Sequence, residues 1–179
     1  VHDAELAFQP GWPHVSKVAG EVFVEETGVR ILASKGQLLD TKVKDIYVNI
    51  PHALPGHDSH LLLTGGFAGG LGDGLKILQE APIGTASTFA GWKGEGDLQG
   101  SLDLDIPLAK GTEPKIVVDF KTDKAHLQLA EPTLDLNQLK GEFRFDSTKG
   151  LSGQNISAQA FDRPITAQIA AGGKPGNLS

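Results

Sequence analysis

The 179-residue chain contains no cysteine and no methionine. Without cysteine it has no disulfide, no thiolate metal ligand and no cysteine nucleophile. Aromatic residues make up only 6% of the chain, and no run of about 18 apolar residues occurs, so the sequence predicts no membrane-spanning helix. The net charge is −6 at pH 7 and the basic residues are scattered, so we expect no nucleic-acid partner.

Glycine, by contrast, is abundant at 23 residues, and the dominant hydrophobic period is two. Residues 45–50 place Ile46, Val48 and Ile50 on one side of an extended chain. The same alternation gives further apolar rows: Leu102, Leu104, Ile106 and Leu108; Phe143 and Phe145; Ile165, Ala167 and Ile169. We therefore predict a mainly β fold of roughly ten strands in an antiparallel sheet. So many strands favour a sheet that curls into a taco-like groove with the apolar rows on its concave side.

Helical periodicity occurs once. Residues 73–81 have helical spacing, with Asp73 as the expected N-cap and Pro82 as the expected stop. The glycine-rich residues 64–74 just before it are predicted to be a flexible connector, and residues 172–179 a flexible tail.

A motif occurs twice in the chain. Residues 20–29 resemble residues 141–151, and the match continues so that the predicted internal repeat is 20–43 with 141–165, the second copy having the extra Lys149. Each copy is typical of a strand, turn, strand, turn and strand. We interpret residues 1–171 as a single β-rich segment that extends a sheet by repetition. The family resemblance described below implies that this segment is part of a larger protein.

Several patterns resemble sites of chemistry, but each has a structural explanation that we favour. His52, His57 and His60 lack metal-ligand spacing and are typical of a solvated loop, so no metal site is predicted. Asp103 and Asp105 share the polar face of a strand without the two distinct environments that acid–base catalysis needs. No nucleophile elbow and no phosphate-binding loop occur. We predict no catalytic residues, no cofactor and no enzyme activity.

The order of several short motifs resembles that of one family. These are Gly11-Trp12-Pro13, Val18 to Val24, Glu80 to Ile83, Trp92 to Gly96, Leu102 to Leu108, Leu139 to Phe145, Gly150-Leu151 and Phe161 to Pro164. From about residue 8 to residue 171 this succession resembles the central periplasmic region of the YhdP group of AsmA-like proteins of Gram-negative bacteria.

The resemblance implies a segment of a periplasmic groove that carries phospholipid between the inner and outer membranes and maintains the outer-membrane barrier. It also implies an anchor in the inner membrane outside this chain, with membrane contact through other parts of the parent protein. We expect phospholipid or another acyl lipid as partner, and end-to-end pairing of sheet edges. The expected groove residues are Ile46, Val48, Ile50, Leu102, Leu104, Ile106, Leu108, Phe143, Phe145, Ile165 and Ile169.

Two other functions remain open from the residues alone. On the first of these hypotheses, the apolar face is simply the core of a non-catalytic structural or interaction module, and no lipid binds. The less favoured hypothesis is a carbohydrate-binding or hydrolytic domain that uses Trp12, Trp92, Asp103 and Asp105.

Overall fold

A computed structural model describes residues 4–6, 14–53, 55–56, 58–80, 85–87, 89–109, 111–131 and 133–171. The strands are β1 (Ala4–Leu6), β2 (Val15–Glu25), β3 (Gly28–Leu38), β4 (Thr41–Pro51), β5 (His60–Gly70), β6 (Lys93–Glu95), β7 (Asp97–Pro107), β8 (Lys115–Leu129), β9 (Leu134–Asp146), β10 (Gly150–Ala160) and β11 (Arg163–Ile169). The helix is α1 (Leu71–Glu80). The described elements are thus eleven strands and one short helix, as the sequence predicts.

The strands form one antiparallel sheet in the order β1-β2-β3-β4-β5-β7-β8-β9-β10-β11, and β6 pairs with the later part of β8. Almost every strand therefore lies beside its neighbour in sequence, which is the simplest way to extend a sheet. The sheet curls but does not close. The predicted fold class, a curled antiparallel sheet with one short helix, is confirmed.

Period-two alternation separates the two faces of this sheet. In β4 the side chains of Ile46 and Val48 are buried and Ile50 is half-buried, while Tyr47 is exposed on the other face. Val48 pairs with Leu63 of β5, and Leu63 pairs with Leu104 of β7, so the same face continues from strand to strand. We call it the apolar face.

Bulges interrupt the pairing at similar levels on several strands. Lys17, Asp45, Lys124, Gln138 and Asn155 have φ values of 53°, 51°, 60°, 53° and 53°, and the strand register shifts beside each of them. A bulge bends its strand and increases the local twist. These bulges lie on both wings of the sheet, which explains why it curls rather than staying open and flat.

A row of three phenylalanines and two glycines crosses the centre of the apolar face. Phe67 of β5 pairs with Gly100, which pairs with Phe120; Phe120 pairs with Phe143, which pairs with Gly153. The rings of Phe120 and Phe143 stack at 5.1 Å. A Cβ on Gly100 would meet Phe67 Cζ at 2.9 Å and overlap the Asp119 carbonyl oxygen, so the missing side chain makes room for the ring. Glycine is required here by packing, not by flexibility.

Two apolar clusters lie on this face, one on each side of the phenylalanine row. We call the first the uncovered half; its buried members are Val15, Val18, Ala33, Val43, Ile46, Val48, Leu61, Leu63, Leu104, Ile106, Ile116 and Phe145. We call the second the covered half, because α1 packs on it; its buried members are Leu71, Leu75, Phe89, Leu98, Ala125, Leu139, Ile156 and Ala158.

The prediction of a flexible connector over residues 64–74 is wrong. Residues up to Gly70 belong to β5, and α1 begins at Leu71 without a linker. Packing explains the glycine, since a Cβ on Gly69 would overlap the Thr41 side chain. Asp73 is likewise not the N-cap, because the helix begins two residues earlier; its carboxylate binds β4 instead.

Two of the predicted groove residues do not lie inside the fold. Leu108 follows the end of β7 and its side chain is 45% exposed, because the chain turns away after Pro107 and the Leu108 N–H donates to Ser59 O. Ile165 lies on the apolar face of the edge strand β11 and is 38% exposed, since β11 has a neighbour on only one side.

The two copies of the sequence motif fall on equivalent successions of elements. The first covers parts of β2, β3 and β4, and the second parts of β9, β10 and β11. In both copies a glycine with positive φ follows the first turn, Gly28 at 138° and Gly150 at 90°. The internal repeat of 20–43 with 141–165 stays a prediction. The tail at 172–179 lies outside the described residues.

Candidate apolar site

Side chains of the uncovered half are buried although no described helix packs on them. Val48 is 1% exposed although no described helix lies over its cluster. Its cluster joins strands that lie far apart in the sheet order, such as β2 through Val15 and β9 through Phe145. Much of the apolar face is thus a packed core.

The apolar face becomes open toward the β2 edge. Val22 pairs with Ile31 and Val24 with Val29, so all four point to the same side as Val48. Val22 is 49% exposed and Val24 is 79% exposed. Among the described residues, β1 pairs with β2 only at Val15 and Val18, away from these two side chains.

An internal cavity of about 200 Å³ lies between the sheet and α1. Leu71, Leu75, Ile77 and Leu78 of the helix line it on one side, and the phenylalanine row lines it on the other. Further lining residues are Leu38, Val43, Phe89, Trp92, Leu98, Leu102, Val118, Leu127, Leu139, Phe145 and Leu151.

Two hydroxyl groups line the cavity, and both are bound to protein atoms. The Thr41 hydroxyl donates to Asp73 Oδ2 at 3.0 Å, and the Thr122 hydroxyl donates to Asp97 O at 2.6 Å. An ordered water needs two to four polar partners, whereas apolar cavities of similar size stay dry and bind apolar molecules. The cavity is therefore suited to a hydrocarbon and not to a polar group.

Helix α1 is held in place by apolar packing and by a few polar contacts. A Cβ on Gly94 would lie 2.7 Å from Leu71 Cγ, so the glycine lets the helix sit directly on β6. The Asp73 carboxylate accepts hydrogen bonds from the Asp40 N–H and the Thr41 hydroxyl, both at 3.0 Å. The Leu71 N–H donates to Gly96 O at 2.8 Å.

The helix is tied to the loop that follows it. Gln79 Nε2 donates to Phe89 O at 2.8 Å and to Trp92 O at 3.0 Å, and the Thr85 hydroxyl donates to Leu78 O at 2.6 Å. The rings of Phe89 and Trp92 meet edge to face at 5.0 Å. Loop and helix form one unit over the covered half.

Nine of the eleven sequence candidates belong to one of the two apolar clusters or pack against it. Ile46, Val48, Leu104, Ile106 and Phe145 are buried in the uncovered half, and Ile50 and Leu102 pack against it. Phe143 and Ile169 pack against the covered half.

The sequence analysis did not assign the helix side of the cavity to the candidate site. Leu71 and Leu75 belong to the predicted helix or connector, and Phe89 lies between strands, so no strand alternation marks them. The helical spacing of Leu71, Leu75 and Leu78 was the available signal, and it points to a covered apolar surface.

The histidine-rich loop does not form a metal site in the part of the chain that the structure describes. No group of three or more histidine, aspartate or glutamate residues there could hold a metal ion. His60 Nδ1 contacts Asp105 Oδ1 at 2.5 Å, and His52 is exposed. His57 lies outside the described residues.

The residues named for carbohydrate chemistry are on opposite sides of the sheet. Trp92 lines the internal cavity, whereas Asp103 is exposed on the polar face. Trp12 lies outside the described residues. Trp92 and Asp103 therefore do not meet in one site.

Two charged groups have shifted pKa values, and both belong to turns or edges. Burial raises the pKa of the Asp146 carboxyl, but the N–H groups of Thr148 and Lys149 and nearby lysine charges outweigh it and hold the pKa below its usual range. The hydrogen bond and charge of Glu25 raise the pKa of Arg30. Both groups stabilise local structure at the turn ends of strands.

A family model described as "YhdP protein" matches residues 1–178. The family is of the lipid-transport type and is not a known class of enzymes. No curated protein and no solved structure matches the chain. Within the described residues, no helix has the length and hydrophobicity to cross a bilayer.

Proposed function

Because the chain belongs to the YhdP family, we propose that it is a segment of a periplasmic lipid-transfer groove. The segment shields acyl chains while phospholipid moves between the inner and outer membranes, and in this way it helps to maintain the outer-membrane barrier. The parent protein is anchored in the inner membrane by a part outside this segment.

The observation that carries the proposal is the continuous apolar face with an apolar cavity in it. The face runs from β2 to β11 without a charged residue among its buried members. Each methylene group moved from water onto such a surface contributes about 0.8 kcal/mol. A chain lying along the face would be held without any headgroup contact.

The polar side of the sheet supports the same function. Gln99, Asp119, Lys121, Glu142 and Arg144 alternate with the apolar rows on β7, β8 and β9 and lie on the opposite face. Basic and acidic groups are mixed there, so the face has no strong attraction for anionic headgroups. Charged headgroups would remain in water while their chains lie on the apolar face.

The sheet edges fit a segment of a longer groove. β11 pairs with β10 on one side only, among the residues described, and its side chains are mostly exposed. An unpaired edge strand is a template for another strand. End-to-end pairing with a neighbouring segment would extend the apolar face beyond this chain.

The test is native mass spectrometry of the purified chain followed by lipid extraction. Leu102→Trp places a larger side chain into the cavity, and Gln99→Trp adds a similar volume on the polar face of the same strand. We expect bound phospholipid or fatty acid in the wild type and in Gln99→Trp, and its loss in a folded Leu102→Trp. Wild-type protein without lipid, or equal lipid in both variants, would contradict the proposal.

The second candidate function is a structural or interaction module. The self-packing of the uncovered half favours it, since Val48 is as well buried as a residue in an ordinary core. On that hypothesis the purified chain has no lipid, and filling the cavity with Leu102→Trp changes nothing but stability. The same measurement therefore separates the two.

A further inference from the structure

We infer that the free edge of β11 and the turn before it bind a strand followed directly by a short helix, with a carboxylate in the first turn of that helix. The inference rests on the proposed function, in which the sheet continues into a neighbouring segment, and it names the chemistry of that partner. Two matching turns of the sheet differ in whether such a unit contacts them.

The turn between β3 and β4 matches the turn between β10 and β11. Each has two residues between the last paired residues of its strands, Leu39 and Asp40 in the first turn and Phe161 and Asp162 in the second. The φ value is 54° at Leu39 and 52° at Phe161. The two turns also have the same place in the two copies of the sequence motif. An element that caps one turn therefore has a corresponding position at the other.

The turn between β3 and β4 is capped by the helix that follows the next strand. Strand β5 pairs with β4 and leads into α1 without a linker, so the first helical turn lies beside the β3–β4 turn. There the Asp73 carboxylate accepts hydrogen bonds from the Asp40 N–H and the Thr41 hydroxyl. Leu39 is half-buried. Strand, helix and carboxylate are thus supplied as one unit.

The turn between β10 and β11 has no such cap among the residues that the structure describes. Phe161 is 84% exposed, and within the described sheet β11 pairs only with β10. A bulky residue with a positive φ is strained, and such strain is often found where a residue serves a contact. In the described residues, β11 and its turn therefore lack what β5 and α1 supply to β4 and the first turn.

Arg163 determines the charge that the partner needs. It has the position of Thr41, and both side chains lie on the apolar face, two residues before Ile165 and Val43. Among the described residues, no carboxylate forms an ion pair with Arg163. Because Asp162 has a φ of 59°, unlike Asp40, we expect the Arg163 guanidinium and not the turn N–H to donate to the carboxylate.

The edge favours this partner over an arbitrary strand. Pro164 has no N–H, and a proline in an edge strand has its missing donor on the free side. A charge such as Arg163 on the inward face of an edge strand opposes pairing unless the partner neutralises it. Ile165 corresponds to Val43, which pairs with Phe67 of β5, so an apolar residue is expected opposite Ile165 in the partner strand.

The segment of this chain that has the required design is β5 with α1, so a synthetic peptide of residues 60–80 is the probe. Hydrogen exchange followed by mass spectrometry locates its binding on the full chain. Arg163→Gln removes the charge, and Arg144→Gln on the polar face of β9 is the matched control. A peptide with Asp73→Asn removes the carboxylate at constant size. If the free peptide is poorly soluble, the same residues appended after Ser179 replace it with the same readout.

We expect the peptide to slow hydrogen exchange along β11 and not along β1 or β2. Arg163→Gln in the chain and Asp73→Asn in the peptide should each weaken binding by about tenfold or more, because each removes one charge from the same pair. Combined, the two changes should weaken binding no further than one of them. No protection of β11, or equal binding by the two peptides, would overturn the inference.

Phe161→Asn separates a contact residue from a residue that only forms the turn. Asparagine tolerates a positive φ better than phenylalanine, so the chain alone should unfold at the same or a higher temperature. Peptide binding should nevertheless weaken several-fold, because the helix loses an apolar contact. Unchanged binding would leave edge pairing alone and overturn the contact with the turn.

Lipid retention is measured separately on the same protein. A chain that retains lipid but does not bind the peptide rejects this inference and leaves the proposed function in place. A chain that binds the peptide at β11 without retaining lipid rejects the proposed function and leaves the docking site in place.

Discussion

Val48 and Leu75 are both buried on the apolar face, but different parts of the molecule bury them. Val48 lies in the uncovered half, in one cluster with side chains from strands as far apart in the sheet order as β2 and β9. Leu75 lies in the covered half, on a helix that contacts β6 through Gly94. A sheet that packs on itself loses its core if one strand fails, whereas a helix can leave while the sheet remains.

This difference in how the two halves are buried indicates where a lipid path can run. Opening the uncovered half requires separating two wings of one sheet, but opening the covered half requires moving ten helical residues. We therefore expect the covered half to open at a lower cost in free energy. Four substitutions test this contrast, from the largest expected effect to the smallest.

The largest effect is expected from a charge in the uncovered half. Leu104→Asp places an unpaired carboxylate in the self-packed core, and we expect a loss of about 4 kcal/mol or more in the free energy of unfolding. Gln99→Asp on the polar face of the same strand is the control, because it faces Lys121. Urea denaturation measures both. A folded Leu104→Asp close to wild-type stability would show that this half is an open groove.

Leu75→Ala tests the packing of the helix on the covered half. Removing this buried side chain should cost about 2–5 kcal/mol, because the cavity beneath α1 becomes larger. Val24→Ala at the exposed edge of the same face should cost less than about 0.5 kcal/mol. Similar costs for the two variants, measured by urea denaturation, would remove the distinction between the covered surface and the open edge.

Gly100→Ala tests the phenylalanine row between the halves. The new Cβ would overlap the Asp119 carbonyl oxygen and press on Phe67, so we expect a loss of about 1–3 kcal/mol. Gly70→Ala is the matched control, since its Cβ would meet nothing within 4 Å. Thermal denaturation compares them. A harmless Gly100→Ala would mean that the row adjusts easily and does not divide the face.

The smallest effect concerns the turn between β9 and β10, at the end of the sheet away from α1. The folded pKa of Asp146 lies below its unfolded value, so its stabilising contribution is present above about pH 4 and is lost as pH falls through the folded pKa. Because the carboxyl is partly exposed, we expect less than about 1 kcal/mol.

Asp146→Asn should therefore lower the free energy of unfolding slightly at pH 7. As the pH falls below 5, the free energy of unfolding should decrease less steeply in the variant than in the wild type. Urea midpoints measured across this range check the prediction. A wild-type protein with the same acid dependence as Asp146→Asn would show that this carboxylate does not stabilise the turn.

Much of the fold was predictable because apolar and polar residues alternate within each strand. Alternation over residues 45–50, and over Leu102, Leu104 and Ile106, depends only on which side chains share a face, and the structure agrees. Leu108 lies one residue beyond the end of β7, because alternation does not indicate where a strand ends.

The prediction of a flexible connector before α1 was wrong for a different reason. A high glycine content alone is typical of a linker. At Gly69 and Gly100, however, the space that a side chain would take is occupied by Thr41 and Phe67 from neighbouring strands. Those contacts join residues far apart in sequence. A single sequence does not contain the pairing that would reveal them.

The sequence by itself determined the strand periodicity, the lack of thiol chemistry and membership of the YhdP family, because these depend on local order and composition. Only the tertiary structure decided which apolar side chains are covered. Burial depends on how far the bulges curl the sheet and on where α1 rests, and both follow from contacts between distant strands. The same contacts leave the cavity beneath the helix.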